Sequence, residues 1–415
     1  MSCPAGKYSH ISIAIPMLAE LENLPGLMES LRRQTFTDFE LYCCVNNPEE
    51  WTASSDETFR AMYLDNQASL EYLANIQQPF PQLHIIDCSS PGHGWQGRQR
   101  GVGMARKVLL EAISDEHDDN ELVVSLDADT RFNGNYLESV LNAMNSNPEH
   151  CALSVPYYHP LSGEERNDRA MLRYEIYMRH YLLSLMESAI PYAFTALGSA
   201  MVFPLWAYRR VGGFTPLQGG EDFYLMQKFC KTGRILLSGN GPFDKERLDE
   251  IPVIVFPQGR QSNRVPFGTG PAVAKGVESM DDSYPLYPYE GFRAVADTYA
   301  LFPVLYDKDV ETPMTAFLCE QLKTMDIWRP LRKNFKTREL FVHACMERVD
   351  GLRILQFLKT FPLRPAEEEL QLFCKRHGIR VQDDFSFLNS PIEEINMIRD
   401  SLFEKEIQYR VGTVQ

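Results

Sequence analysis

The run VVSLDADTRF, residues 123–132, closes an apolar, β-prone stretch with two aspartates, Asp127 and Asp129, separated by one alanine. Carboxylates at the end of a buried strand lose hydration and repel each other, so they require a partner. On an extended chain, side chains two residues apart point the same way, and the pair is expected to converge on one point. Hard divalent cations such as Mg²⁺ and Mn²⁺ take oxygen ligands of this kind and keep positions open for water and substrate phosphates. The structural alternative is an Asx turn or a cap on the helix that FNGNYLESV begins. Spacing alone does not decide between them. Asp307-Lys308-Asp309 has the same spacing, follows no convincing apolar strand, and reads as a solvated turn.

A second acidic pair lies in VGGFTPLQGGEDFYLMQKFCKTGRI. Gly219 and Gly220 precede Glu221 and Asp222 at the start of a helix, and Gly233 ends it behind Lys228 and Lys231. Acids in a first turn and bases in a last turn suit the helix dipole, which is a sufficient structural reason for them. The chemical reading makes one of these acids a general base, held rigidly where an incoming hydroxyl loses its proton.

The third feature is GHGWQG, Gly92–Gly97, which matches G-x-G-x-x-G after a strand. A dinucleotide fingerprint would start a helix at once and place an acid about 20 residues on. Here Arg98, Gln99, Arg100, Gly101 and Gly103 delay the helix, and the next strand ends in the aspartate pair. The basic residues Arg98, Arg100, Arg106 and Lys107 instead suit an anion, with glycine amides free to approach it and guanidinium forks to hold it. The alternative is a solvated helix face.

These residues need a frame. HISIAIPML has Ile11, Ile13 and Ile15 at period two, and ENLPGLMESLRRQ reads as a helix with Pro25 in its first turn. FELYCCV, QLHIIDC, ELVVSL and CALSVPYY read as further strands, with helices from about Ser55 to Gln77, at RKVLLEAI and at GNYLESVLNAM. Alternation of this length implies a mostly parallel sheet covered by helices, with ligands beyond the carboxyl ends of its strands. A helix from about Arg166 to Ala189 interrupts the pattern, and GSAMVFP and EDFYLMQKFCKTG resume it. Residues 239–310, rich in Pro, Gly and aromatics, read mainly as loops. From about Thr312 the signals are helical.

The chain has 415 residues, 44% of them hydrophobic and 23% charged, which exceeds one ordinary core and suits two or three subdomains. A net charge of −15 argues against nucleic acid as the main partner, although a local basic pocket for one phosphorylated ligand remains compatible. No apolar run reaches the roughly 18 residues needed to span a bilayer. MSCPAGKYSH lacks the regions of a signal peptide, and the nine cysteines show no C-x-x-C spacing. A reducing cytoplasmic setting, or a peripheral position at a membrane, is the expectation.

Taken together, ISIAIPMLAELENLPGLMESLRRQTFTDFELYCCVNN, GVGMARKV, VVSLDADT, GSAMVFPLWAYRRVGGF and GGEDFYLMQKFCKTGRI resemble the family 2 glycosyltransferases in order and spacing, over roughly residues 9–240. The resemblance implies the α/β GT-A fold of nucleotide-diphospho-sugar transferases. It implies that Asp127 and Asp129 hold a divalent metal, Mn²⁺ or Mg²⁺, and the donor diphosphate, and that Asp222 is the base with Glu221 in support. Pro16, Ala19, Glu20 and Asn46 stand where the family encloses the nucleotide. Arg106 matches an arginine of the family's A-R-N stretch, and Arg98 belongs to the basic loop beside it. Three departures matter: Asn46-Asn47 replaces an Asp common in the family, Lys107 replaces Asn, and no histidine lies between His180 and His343 to act as a later metal ligand. Gln258, Ser262, Asn263 or water are the substitutes.

The expected organisation is a glycosyltransferase domain over residues 1–310, with a nucleotide-binding half at 9–160 and an acceptor-side half at 161–310, followed by a helical domain at 311–415. The expected activity is metal-dependent transfer of a sugar from a UDP- or GDP-sugar to a saccharide or other hydroxyl acceptor, with inversion. The rivals are a nucleotidyltransferase acting on a sugar phosphate and a non-catalytic nucleotide-sugar-binding protein.

Overall fold

The computed structural model describes residues 7–77, 80, 82–97, 100–237, 248, 251–261, 268–280 and 284–412. The chain divides into two compact units: Met1–Met171, Phe194–Asp282 and Ile407–Gln415 form one, and Leu172–Ala193 with Ser283–Glu406 form the other. The boundary therefore differs from a cut at 310/311, because residues 172–193 and 283–310 group with the later helices.

The first unit is built on a seven-stranded sheet. In chain order its strands are β1 (Ile11–Met17), β2 (Phe39–Asn46), β3 (Leu83–Cys88) and β4 (Leu122–Ser125), then β6 (Ala152–Ser154), β7 (Met201–Pro204) and β8 (Ile235–Leu237). Two short strands, β5 (Arg131–Phe132) and β9 (Val255–Phe256), pair separately. The order across the large sheet is β3-β2-β1-β4-β7-β6-β8. β3, β2, β1 and β4 run parallel, β7 is antiparallel to both β4 and β6, and β8 is parallel to β6. Every residue of β1 is buried, as strands covered on both faces require.

The helices follow from the sequence pattern. In α1 (Leu24–Arg32), proline stands in the first turn and Leu24, Leu27, Met28 and Leu31 are buried at helical spacing. α2 (Glu57–Gln77) lies between β2 and β3 in the chain, α3 (Val102–Glu116) between β3 and β4, and α4 (Tyr136–Ser146) between β5 and β6. α5 (Glu165–Glu187), α6 (Leu205–Arg210), α7 (Glu221–Thr232) and α8 (Thr269–Glu278) follow.

The second unit contains α9 (Tyr289–Leu305), α10 (Pro313–Gln321), α11 (Trp328–Asn334), α12 (Arg338–Arg348), α13 (Gly351–Leu358), α14 (Ala366–Arg376) and most of α15 (Ile392–Gly412). α9 corrects the reading of residues 239–310 as mainly loops. It is 17 residues long despite Gly291 and Pro303, because Phe292, Val295, Phe302 and Leu305 bury a continuous face. Burial there outweighs the local penalty of glycine and proline. Gly291 has its own reason: a Cβ would stand 2.7 Å from the Leu358 side chain. Inside this unit Arg179 pairs with Glu175 and Glu406, all fully buried. Among the described residues, no helix is long and apolar enough to cross a membrane.

Candidate active site

The carboxyl end of β4 and the amino end of α7 meet at one guanidinium. Arg106, on the buried face of α3, is 2% exposed. Its Nη2 donates to Asp127 Oδ1 at 2.6 Å and its Nε to Glu221 Oε1 at 3.1 Å, while Nη1 donates to Ser125 Oγ. Ser125 Oγ in turn donates to the Gly198 carbonyl at 2.8 Å. Both acidic regions singled out in the sequence are thereby tied to a single cation.

Glycines make that approach possible. A Cβ on Gly103 would stand 2.3 Å from the Leu217 carbonyl oxygen, and one on Gly198 would stand 2.0 Å from Arg106 Nη2. Gly220, at φ 77°, adopts the left-handed conformation that launches α7 with Glu221 as its first residue.

Burial opposes the Arg106 charge, but Asp127, Glu221 and Asp222 surround it and hold its pKa above the ordinary value. Burial pushes the Glu221 carboxyl up, with Arg106 acting in the opposite direction. Asp222 is half-buried, and its Oδ1 accepts the Phe223 N–H at 2.7 Å. Burial and then the neighbouring Glu221 charge raise its pKa to about 7. A carboxyl poised there exchanges protons near neutrality.

Asp127 and Asp129 pair with different arginines. β4 ends at Ser125, and Ala128-Asp129 form a turn closed by Thr130 N–H to the Asp127 carbonyl at 3.1 Å. The turn replaces the extended backbone from which convergence was expected. Asp127 turns to Arg106 and keeps 40% of its side chain exposed, whereas Asp129 lies 3.3 Å from Arg260 Nη2. Arg260 also pairs with Glu20 at 2.5 Å and with Glu22 at 3.2 Å. Pairing of β5 with β9 brings this segment back beside residues 127–131. Among the sequence candidates for a further ligand, Gln258 is exposed, and Ser262 and Asn263 lie outside the described residues.

The nucleotide-side candidates occupy the ends of β1 and β2. Pro16 is buried in β1 opposite Cys44. Ala19 has φ 52°, and its N–H donates to Asn66 Oδ1 at 2.8 Å. Glu20 accepts from Asn23 as well as from Arg260. Asn46 is buried: its Nδ2 donates to the Met17 carbonyl at 2.8 Å and its Oδ1 accepts from Trp95 Nε1 at 3.1 Å. Its amide thus clamps β1 to the loop after β3, a structural role the sequence reading did not assign.

The glycine loop does bind an anion, and the anion is the chain's own. Gly92 and Gly94 N–H groups donate to the two Glu49 carboxylate oxygens at 2.9 and 2.8 Å. Arg100 pairs with Glu50 at 2.6 Å. Arg98 lies outside the described residues, as does the middle of the glycine-rich segment 259–273. Ser125, Gly198 and Arg260 escaped sequence reasoning; the only hint of Arg260 was its place among glycines beside a second arginine.

Residues 122–246 match the family model described as glycosyl transferase family group 2. No curated protein matches the chain. Among solved structures it is similar to S. aureus TarS 1-349 in complex with UDP, at 13% identity over 82% of this chain and 91% of that one, with a TM-score of 0.39. The complex of the same protein with UDP-GlcNAc gives 14%, 91%, 95% and 0.40. Mannosyltransferase PcManGT from Pyrobaculum calidifontis, in complex with GDP-Man and Mn²⁺, gives 12%, 97%, 86% and 0.37. The matched segment contains both acidic pairs, Asp127/Asp129 and Glu221/Asp222, so the similarity to the group 2 glycosyl transferases rests on residues 122–246 of this chain.

Proposed function

We propose that the chain transfers a sugar from a nucleoside diphosphate donor, a UDP- or GDP-sugar, to a hydroxyl acceptor in a metal-dependent reaction, with Asp222 as the base and with inversion. The observation that carries this reading is Arg106, whose guanidinium joins Asp127 on the donor side to Glu221 beside Asp222. It fixes the separation between the group that faces the leaving diphosphate and the group that faces the acceptor, as an in-line displacement requires.

Asp127 and Asp129 are the residues that would hold Mn²⁺ or Mg²⁺. The fit is chemical: both are hard oxygen donors, and Asp127 remains open to solvent on one side. The ion would supply charge stabilisation to the departing diphosphate. Arg260 holds the Asp129 carboxylate, so ion and guanidinium compete for it. Asp222, ionised, takes the acceptor's hydroxyl proton on a carboxylate oxygen as the acceptor oxygen bonds to the anomeric carbon, and the bond from that carbon to the diphosphate oxygen breaks on the opposite face, releasing the nucleoside diphosphate. Glu221, ion-paired with Arg106, raises the basicity of Asp222 through its negative charge and holds the first turn of α7 in place.

A panel of UDP-, GDP-, CDP- and dTDP-sugars, each with and without Mn²⁺, tests the donor and metal, with release of the nucleoside diphosphate as readout. Proton NMR of the new anomeric centre tests inversion. Turnover with undiminished rate in EDTA sinks the metal requirement. Release of pyrophosphate from a nucleoside triphosphate with a sugar phosphate transfers the assignment to a nucleotidyltransferase.

A further inference from the structure

The opposite, amino edge of the parallel strands carries a second constellation of chemistry-bearing residues. His10 precedes β1, Glu121 precedes β4, and the parallel register that pairs Ile11 with Leu122 sets them side by side. His117 follows the last residue of α3 and completes the group. Their ligand atoms all lie within 4.8 Å of one another. Both imidazoles turn Nδ1 to the same carboxylate oxygen, Glu121 Oε2, at 3.1 Å from His10 and 3.4 Å from His117. The other oxygen, Oε1, accepts from Ser12 Oγ at 2.6 Å and also lies 2.9 Å from His10 Nδ1.

The far nitrogens have partners of their own. His117 Nε2 lies 3.0 Å from Glu40 Oε2 and 3.0 Å from the Tyr42 hydroxyl, and His10 Nε2 lies 4.0 Å from Asp38. Glu121 is 5% exposed, while His10 is 25% and His117 18% exposed, so a buried carboxylate faces two reachable imidazoles.

From this geometry we propose that His10, His117 and Glu121 bind a zinc-like divalent cation through Nδ1, Nδ1 and Oε2, with solvent in the fourth position. Zinc bonds of about 2.0–2.1 Å place tetrahedral ligands roughly 3.3 Å apart, close to the 3.1 and 3.4 Å approaches to Oε2. The outer groups fit as well: a metal-bound imidazole donates its other N–H to a carboxylate, and Glu40 lies 3.0 Å from His117 Nε2 while Asp38 lies 4.0 Å from His10 Nε2. The two imidazoles stack with their ring centroids 5.3 Å apart, and both present Nδ1 to Glu121. A cation held on both Nδ1 lone pairs would leave the two Nε2 atoms to face Glu40 and Asp38.

The site is distinct from the proposed catalytic ion, since its ligands lie at the other end of β4 from Asp127. Metal-stripped full-length chain is titrated calorimetrically with zinc chloride in the absence of nucleotide, and with Co²⁺ while the visible absorption of a tetrahedral complex is recorded. One equivalent is expected to bind, raising the melting temperature by several degrees. His10→Gln and Glu121→Gln should each weaken binding at least about 10-fold, the scale on which even outer partners act. Their metal-free melting temperatures separate a lost ligand from a lost fold. Asp129→Asn should bind the same equivalent. The proposal is overturned if the parent chain binds no zinc, or if both ligand variants bind as the parent does. It is equally overturned if Asp129→Asn alone loses the ion, or if only His84→Gln does, which moves the cation to the neighbouring Glu40, His84 and Glu116.

Discussion

The two ends of the parallel strands carry similar numbers of acids but solve their charge in different ways. At the carboxyl edge Asp127, Glu221, Asp129 and Glu20 are answered by two arginines, Arg106 and Arg260. At the amino edge Glu121, Glu40 and Glu116 are answered by three histidines, His10, His84 and His117. Guanidinium stays charged and offers no lone pair, so it can organise carboxylates but never share a metal with them. Imidazole can be neutral, and then it is itself a ligand. One edge answers its acids with fixed charges, the other with side chains that can also be ligands.

The largest expected effect is at the carboxyl edge. Asp222→Asn should lower transfer by about 10² to 10⁴, the usual cost of losing a general base, with donor affinity intact. The parent's kcat/KM should rise with pH through about 7, where burial and Glu221 place the Asp222 carboxyl, and the variant's residual rate should be flat there. Stability moves the other way. Between the ordinary 3.8 and about 7, the folded chain keeps a proton that the unfolded chain has lost. The Asp222 contribution therefore becomes unfavourable as pH rises through that window. The Asn variant should melt higher than the parent above pH 7 and converge with it in acid. Equal activity in the two proteins returns the base to Glu221.

Next is Arg106→Met, which strips the charge between two carboxylates. Breaking a buried pair from one side typically costs about 3–5 kcal/mol, and urea unfolding should show it. A loss below about 1 kcal/mol would mean that Glu221 and Asp127 are neutralised without Arg106. Arg260→Gln is milder: with the competing cation gone, Mn²⁺ should bind Asp129 several-fold more tightly in nucleotide-free calorimetry, and weaker binding would make Arg260 an aid to the ion instead. The smallest effect belongs to the amino edge. In EDTA, His10→Gln should change stability by about 0–1 kcal/mol, as part-exposed ion pairs do. A loss as large as that of Arg106→Met would erase the contrast between the edges.

Much of the carboxyl edge was legible because its signals are local. Period-two isoleucines mark β1, the apolar run before Asp127 marks β4, and paired glycines before Glu221 mark the start of α7. What joins them was not legible. Arg106 reads as one of four basic residues near a loop, and only the packing of α3 shows it buried while Arg100 stays with Glu50. Arg260 reaches Asp129 across 131 positions by way of the β5–β9 pair, for which two-residue strands leave no periodicity to read. The amino-edge histidines are scattered singly at 10, 84 and 117, and sequence spacing cannot announce a group assembled by strand register. At the glycine loop, amides suited to a phosphate are equally suited to Glu49, which takes the Gly92 and Gly94 N–H groups.

The sheet's topology also has a consequence for the order in which the chain acquires its shape. β1 to β4 are contributed by the first 125 residues and can pair among themselves, but β6 has no strand beside it until β7 and β8 are made. Even then the Ser154 carbonyl, at the end of β6, meets the Arg410 Nη1 that donates to it at 2.7 Å only 256 residues later. Pairings this distant close slowly and leave apolar strand edges open meanwhile. A chain emerging from the ribosome thus holds a finished half-sheet with an exposed β4 edge through the synthesis of some 75 further residues, the interval from Ser125 to Met201.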